Sequence, residues 1–590
     1  MKEFEYPICA DIILQKKRSL KRELLQNTSL IEKKIAILSG STIGEIKNIL
    51  ELFLLNYGIK PVFYVGGYSL FYENLVFDDG ELADFAPDII YIHTSNKNIL
   101  NMPCVTDDEN TFNQKLSAEF DRYERAWQSA EKYNCPVIQN NFELPTCRTL
   151  GNFDAVDYGG MVRFINSLNL KFADFAVKHK SFYINDINYL SARFGLDNWS
   201  SDSIWYLYKY SLNTEYIPYL CENISFIIKS IFGKNKKSLI LDLDNTLWGG
   251  IIGDDGAEGI SLGNETPQGM AYLAFCKYLK QLQTEGIMLN VASKNDEAVA
   301  LSGFELPQNP LKREDFVCFN ANWQPKNENV LNIIKNLNIL PEAFVFVDDN
   351  PAEREIVRQN VAGVVVPEVS DVESYIKAID RAGFFEVTTL SADDKNRNEM
   401  YRQNILRAEN EKSFTDYSVY LKSLEMTAKI APFDLANAER ITQLTNKTNQ
   451  FNLTTRRYTQ SEIEGLVENE KYITMYGKLT DKFGDNGLVT ALIGEKQGTN
   501  LEVLLWIMSC RTFKRNLEHA MLDKLVDCCK KCGISTINGK YLPTAKNILV
   551  KDFYAEMGFD LVNENENERN FALEIPQNWQ NKNTVIKIES

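Results

Sequence analysis

The sequence predicts an α/β protein of several domains, on three observations. Apolar runs of strand length alternate with helical segments from Lys34 onward, and the same alternation restarts at Ser238-Leu239-Ile240-Leu241. The last part of the chain then changes to long strands with few helices between them. Alternation of strand and helix implies parallel strands covered by crossover helices, whereas runs of strands imply a mixed α+β sheet. At 590 residues the chain is long enough for about three to four domains.

In chain order, residues 1–33 read as a lead-in helix. An α/β domain over 34–233 opens with the strand KIAILSG and the helix TIGEIKNILELFLLNYG, which stops at Gly58. PVFYVGG and PDIIYIHTS read as strands, QKLSAEFDRYERAWQSAEKYN as a helix, and CPVIQNN as a further strand. A second α/β domain over 234–390 starts with SLIL and continues through the helix QGMAYLAFCKYLKQLQTEG and the strand IMLNVASKND. EDFVCFN, AFVFVDDN and GVVVPEV read as its remaining strands, with the helix NENVLNIIKNLNI between the first two. Residues 391–425 are polar with helical spacing and read as a helical linker. Residues 426–590 hold the strands MTAKIAPF, KYITMYGKL, NGLVTALIGE and NLEVLLWIMSC and the helices LANAERITQLTNKTNQ and RNLEHAMLDKLVDCCKKCG, a mixed α+β domain.

Composition narrows the function. The formal charge of −16 argues against non-specific nucleic-acid binding and against an anionic membrane surface. The N-terminal segment lacks signal-peptide form, and no run approaches the roughly 20 apolar residues of a spanning helix. Eleven scattered cysteines then predict free thiols in a reducing cytoplasm. Cys528-Cys529-Lys530-Lys531-Cys532 has no second cysteine pair and no nearby histidine, so it reads as part of a helix rather than a zinc site. With only three histidines, His93, His179 and His519, Ser-His-Asp and Cys-His chemistry is nearly excluded by supply.

The most informative stretch is LILDLDNTLWGGIIGDDG. Alternation along a strand starts Asp242 and Asp244 on the same side of its C-terminal tip, which is where ligands bind in open α/β sheets. Two carboxylates so close repel unless a cation sits between them. A hard ion such as Mg²⁺ takes oxygen ligands and recruits substrate phosphate, so a metal-dependent phosphoryl site is the leading expectation.

Four motifs in order carry a resemblance. Asp242-Leu243-Asp244-Asn245-Thr246, Ser293 in VASKN, Lys326 in NWQPK and Asp348-Asp349 in FVFVDDNPAE are similar to the four motifs of the haloacid-dehalogenase (HAD)-like superfamily, which implies a Rossmann-like parallel sheet. The resemblance implies Asp242 as nucleophile toward phosphorus and Asp244 as general acid, then base. It implies Thr246, Asn245 and Ser293 as phosphate contacts and Lys326, held by Asp348, as the cation on the phosphoryl group. Asp242, the carbonyl of Asp244 and Asp349 would hold Mg²⁺. The insert between Thr246 and Gln268 is short, so no large cap domain is expected.

The match is closer to one subfamily. DLDNTLWGGIIGDDG followed by VASKND, VDDNPAEREIV and TNKTNQFNLTTRRY resembles the FkbH-like proteins, HAD subfamily IIIC, over essentially the whole chain from about residue 34. This implies transfer of a glyceryl unit from a phosphorylated three-carbon donor, 1,3-bisphosphoglycerate, to the phosphopantetheine of an acyl carrier protein, with loss of phosphate. In that setting Asn449, Arg456 and Arg457 are candidate substrate or carrier contacts. The C-terminal domain resembles a GNAT-type acyltransferase, with Arg511 and Arg515 as candidate phosphate contacts and Cys510 as candidate thioester carrier. The first domain resembles an SGNH-hydrolase or flavodoxin-like fold, with Ser39, Ser41 and Thr42 near the nucleophile position. It lacks that fold's Asp-x-x-His in SSDSIWYLYKYS, so it reads as non-hydrolytic, binding a partner or covering the phosphatase site. Two alternatives stand beside this reading: a plain phosphatase on a small phosphorylated metabolite or sugar intermediate of polysaccharide or secondary-metabolite biosynthesis, and a non-catalytic assembly protein that binds a carrier.

Overall fold

The computed structural model describes residues 1–27, 30–77, 80–448, 450–544 and 546–589. The chain divides into two compact units, Met1–Ile231 and Phe232–Ser590. Among the described residues no helix is long and apolar enough to cross a membrane.

In the first unit, two short helices, Ala10–Gln15 and Lys17–Leu24, precede a five-stranded parallel sheet. Its strands are β1 (Ile31–Ser39), β2 (Ile59–Val65), β3 (Ile89–His93), β4 (Val137–Asn140) and β5 (Phe182–Asn185), in the order β2-β1-β3-β4-β5. β1 is buried on both faces from Ile35 to Ser39, as the continuous apolar run requires of a central parallel strand. One face packs on an aromatic core in which the Trp127 ring lies 4.7 Å from Phe172 and 4.7 Å from Phe182. At the C-terminal end of the sheet His93 is fully engaged. Its Nδ1 meets the Tyr91 hydroxyl at 2.8 Å and Asn140 Nδ2 at 3.0 Å, and its Nε2 meets Ser211 Oγ at 3.1 Å. Burial pushes its pKa down to about 4, so the ring is neutral and structural. Ser39 donates to the Ser41 carbonyl at 2.8 Å.

The second unit begins with a four-stranded parallel sheet in the order β8-β7-β6-β9. The strands are β6 (Ser238–Leu241), β7 (Met288–Ser293), β8 (Phe316–Ala321) and β9 (Phe344–Val347). The chain leaves β6 for β7 on one side and returns to β9 on the other, so strand order reverses at the tip of β6. GVVVPEV, expected as a strand, forms only a single bridge, Val345↔Val365. Phe346 N bonds the Val365 carbonyl at 2.8 Å, but the next donor in the ladder would be residue 367, a proline with no N–H.

Residues 391–425 form three helices, Ala392–Lys395, Arg397–Glu411 and Tyr417–Ser423. The middle one is fastened on both sides. Asn398 donates to the carbonyl of Gln283 at 2.9 Å, and Arg407 pairs with Asp481 through two bonds of 2.8 Å. Beyond lies an eight-stranded mixed sheet, in the order β15-β16-β14-β13-β12-β11-β10-β17. It comprises β10 (Thr427–Ala431), β11 (Tyr472–Asp481), β12 (Gly484–Gln497), β13 (Asn500–Met508), β14 (Thr536–Tyr541), β15 (Asp560–Glu564), β16 (Arg569–Glu574) and β17 (Lys587–Ile588). β13 and β14 are parallel and pair only over Asn500–Val503 and Thr536–Gly539.

Candidate functional site

The site grows out of the register of the four-stranded sheet. Leu241 of β6 pairs with Val347 of β9, so the residues one step beyond, Asp242 and Asp348, stand side by side on neighbouring strand tips. Asp242 N completes the ladder by donating to the Val347 carbonyl at 3.0 Å. The chain then turns sharply. Thr246 N bonds the Leu243 carbonyl at 3.0 Å, and Asn245 takes φ 53°, a left-handed conformation that asparagine tolerates better than most residues.

Lys326 closes the cluster from beneath. It is the first residue of the helix Lys326–Leu337 and is only 2% exposed. Its Nζ lies 2.6 Å from Asp242 Oδ1 and 3.0 Å from Asp348 Oδ2, and donates to the Ala292 carbonyl at 2.9 Å. Burial alone would push this ammonium down, but the two carboxylates outweigh it and hold its pKa above the ordinary lysine value. Burial, then the charge of Asp242, raises Asp348 to about 6 and moves Asp349 upward. One lysine therefore does not balance the carboxylates.

Oxygens of Asp242, Asp348 and Asp349 lie within 4.8 Å of one another. The donor set is oxygen only and carries surplus negative charge, with Asp349 partly open, which fits a hard divalent cation such as Mg²⁺. Asp242 and Asp348 both meet Lys326 through one oxygen, and these two carboxylates with Asp349 are the groups that could hold such an ion.

Asp244 is held away from the lysine by its own partners. Its Oδ1 accepts from Trp248 Nε1 at 2.9 Å and from Ile252 N at 3.1 Å, and its Oδ2 accepts from Asn295 Nδ2 at 3.1 Å. Burial raises its pKa despite those bonds, so the carboxyl is biased toward carrying a proton. Thr246 is fully buried. Its hydroxyl oxygen accepts from Asp349 N at 3.2 Å, leaving the hydroxyl proton to donate. Ser293, 1% exposed, ends β7 beside these tips.

Sequence reasoning missed three supporting residues. Arg354 Nη1 donates to the carbonyls of both Asp348 and Asp349 at 2.8 Å, one helical turn after the Asp-Asp pair. Asn295 and Trp248 orient Asp244. The signal for Arg354 was its place in PAEREIV, on the helix that begins at Pro351.

A cleft of about 940 Å³ opens next to Asp349 and Asn245. Gln268, Tyr272, Ser374, Tyr375 and Lys377 are among its walls. The Asn245 carbonyl accepts from the hydroxyls of Tyr272 at 3.2 Å and Tyr375 at 3.1 Å, which ties the turn after β6 to this wall.

The C-terminal candidates do not join the Asp242 cluster through any bond among the described residues. Arg515 pairs with Asp481 at 3.4 Å and donates to Asn404 Oδ1 at 3.1 Å. Arg511 donates to Ser509 Oγ at 3.2 Å and to Met400 Sδ. Tyr417 donates to the Lys514 carbonyl at 2.8 Å, so the loop 509–516 is bound on this side by residues of the linker. Cys510 is half-buried and packs against the apolar core of the four-stranded sheet. Arg456 is exposed over the Tyr458 ring, and Arg457 donates to the carbonyls of Thr445 and Thr448. Asn449 lies outside the described residues. Phe451 and Leu453 bond to β13 through Met508 N and the Trp506 carbonyl, and Leu542 N bonds the Leu453 carbonyl at 2.8 Å. This segment thereby fills the opening where β13 and β14 diverge.

Residues 62–229 match the family model described as FkbH, N-terminal domain. No curated protein sequence matches the chain. The crystal structure of the N-terminal part of the protein BF1531 from Bacteroides fragilis, containing a phosphatase domain complexed with Mg, is 29% identical with a TM-score of 0.58, over 63% of this chain and 99% of that one. The ribosomal-protein-S18-alanine N-acetyltransferase from Escherichia coli is 14% identical over 26% of this chain and 99% of that one, with a TM-score of 0.21. The PaiA N-acetyltransferase from Thermoplasma acidophilum in complex with coenzyme A is 13% identical over 25% of this chain and 99% of that one, with a TM-score of 0.21.

Proposed function

An FkbH-type N-terminal domain followed by a sheet with an Asp-Lys-Asp cluster at its switch point is the premise from which we propose a Mg²⁺-dependent, HAD-type phosphatase. The observation that carries the reading is the buried lysine between Asp242 and Asp348, with Asp349 beside them and Asp244 poised separately. The Mg-complexed phosphatase domain among its structural relatives supports the metal.

In this mechanism Asp242 attacks phosphorus, and the bond to the leaving oxygen breaks as Asp244 gives that oxygen its proton. Asp244, now a carboxylate, takes a proton from water. The hydroxide formed displaces phosphate from the aspartyl-phosphate and restores Asp242. Thr246 and Ser293 donate to phosphoryl oxygens, and Lys326 stabilises the charge that develops on them. Bound Mg²⁺ would neutralise the phosphoryl oxygens enough for an anionic nucleophile to approach.

The finer reading is that dephosphorylation is coupled to transfer of a glyceryl-type acyl group from a donor such as 1,3-bisphosphoglycerate to the phosphopantetheine of an acyl carrier protein, with Cys510 as candidate carrier. It rests on the FkbH resemblance. The bonding of the C-terminal sheet favours the plain phosphatase instead: the loop 509–516 is tied to the linker, and Phe451–Leu453 occupies the opening between β13 and β14.

Intact-mass spectrometry decides between them. The protein is incubated with Mg²⁺, 1,3-bisphosphoglycerate generated in situ and a phosphopantetheinylated carrier protein. A glyceryl adduct on the carrier, absent with Asp242→Asn, establishes the coupled reaction. Free phosphate with an unmodified carrier selects the plain phosphatase. No phosphate release from this donor or from a generic aryl phosphate overturns the phosphatase reading.

A further inference from the structure

We propose that the second unit holds an anion site for a phosphate-bearing ligand, built from Lys237, Arg397, Arg440, Lys447 and Arg511 around the thiol of Cys510. The proposal stands apart from the phosphatase reading. Lys237 immediately precedes β6, and Asp242 follows it. At about 3.3 Å per residue the two are roughly 16 Å apart, at opposite ends of this strand. The anion held here is therefore not the phosphoryl group at Asp242.

The case rests on unbalanced charge at a partly open place. Arg397 and Lys447 share one carboxylate, Asp394, the latter at 3.1 Å. Arg440 pairs with Asp393 at 2.7 Å. Arg511 has Ser509 Oγ, Met400 Sδ and, 5.8 Å away, the Tyr401 ring, none of them anionic. The Lys237 ammonium has no hydrogen-bond or ion-pair partner among the described residues. Five cations thus face two paired carboxylates in a chain whose net charge is −16.

The strain of this arrangement is visible in the lysines. Burial first, and then the charge of Arg397, pushes Lys237 down to about 8, and burial is also the main cause that lowers Lys447. Like charges held together out of water are costly until an anion arrives. The groups are nonetheless reachable. The side chains of Arg397, Arg440 and Lys447 are 17%, 19% and 30% exposed, and Cys510 is half-buried, near enough to Lys237 and Tyr401 for its charge to act on both. Three guanidinium forks with two ammonium groups suit the several oxygens and multiple charge of a phosphate ester better than a single carboxylate.

Cys510 supplies a reporter inside the site. The full-length protein is alkylated with iodoacetate or iodoacetamide, and the rate at each cysteine is read by peptide mass spectrometry. Exposed Cys147 is the internal reference. Positive surroundings are expected to favour anionic iodoacetate over neutral iodoacetamide at Cys510, relative to Cys147, by about tenfold or more. Inorganic pyrophosphate should slow alkylation of Cys510 by about tenfold at ten times its Kd, with Cys147 unchanged.

Lys237→Gln and Arg440→Gln should each weaken both effects, while Asp242→Asn should leave them intact, which separates this site from the phosphatase. S-methyl-coenzyme A is run in parallel. Protection at lower concentration than pyrophosphate assigns the ligand to a pantetheine-linked phosphate, and equal or weaker protection assigns it to a free phosphorylated metabolite. No iodoacetate preference together with no protection by either anion overturns the proposal, and that outcome is read on the unmodified chain, whatever the variants do to folding.

Discussion

Replacing Lys326 by methionine keeps most of the side-chain volume and removes the one cation between two buried carboxylates. At an effective dielectric of about 20, unit charges at these separations, 2.6 and 3.0 Å, attract by roughly 6 kcal/mol each. Desolvation of three groups in a nearly water-free place takes back much of this, so the net cost of leaving Asp242 and Asp348 unpaired is about 3–5 kcal/mol. For a domain of this size that lowers Tm by roughly 2–4 °C per kcal/mol. The catalytic cost is separate. Lys326 meets the developing phosphoryl charge, and losing one such donor costs about 2.7–4 kcal/mol of barrier, or 10²–10³ in kcat. The assay pairs thermal unfolding, with and without Mg²⁺, with kcat on p-nitrophenyl phosphate. Because the variant's carboxylates have only the metal to neutralise them, Mg²⁺ should raise its Tm by more than it raises that of the parent. Activity within tenfold of the parent, or an unchanged Tm in the absence of metal, would refute the argument that this lysine balances the site.

Asp244→Asn should lower turnover by at least about 10²-fold and let a phosphorylated form of the protein accumulate, visible by acid-quenched intact mass, because the base that activates water is gone. If no adduct gathers and the rate is unchanged, Asp244 is not the acid–base group. Arg354→Met frees the carbonyls of Asp348 and Asp349, so the Mg²⁺ concentration for half-activity should rise about 10- to 100-fold with kcat nearly restored at saturating metal. A fall in kcat that metal does not rescue would mean that Arg354 acts otherwise. Glu518 is 6% exposed with an unbonded Oε2, and burial raises it to about 7. An acid raised on folding contributes its full stability below the unfolded value near 4.5 and loses it as pH climbs through about 7, so Glu518→Gln should add about 1–3 kcal/mol at pH 8 and almost nothing at pH 4. Denaturant unfolding at the two pH values checks it, and equal effects at both would exclude Glu518 as the cause.

The parallel sheets were legible because their strands are continuous apolar runs, and the Asp-Lys-Asp cluster was legible because it sits on strand tips. Asp242, Ser293 and Asp348 each follow or end such a run, and parallel register then brings them together without further information. What failed was long-range and local chemistry that no run reveals. GVVVPEV has the apolar pattern of a strand, yet Pro367 removes the donor that would continue its ladder. The partners of Arg511 and Arg515, which follow the end of β13, are equally invisible in any run: Arg515 pairs with Asp481, 34 residues earlier, and Arg511 donates to Met400 Sδ of the linker. β14, β15 and β16 were not anticipated because they are short and polar: β14 has a glycine, Gly539, at one of its three buried positions, and β15 is exposed at every position.

The linker accounts for these partners. Its middle helix carries Arg407, 1% exposed, whose fork is matched by Asp481, and the same carboxylate holds Arg515. Breaking this three-member group at Asp481 would leave two buried guanidinium ions uncompensated, the costly case for a buried ion pair. The arginines of the loop 509–516 therefore hold the eight-stranded sheet to the linker, and the linker in turn bonds the carbonyls of Gln283 and Gly286 beside the start of β7. Motion of the loop toward a ligand would have to break that chain of bonds. The opening between β13 and β14 is closed in the same way, because Phe451–Leu453 bonds to Met508 N and the Trp506 carbonyl on one side and to Leu542 N on the other.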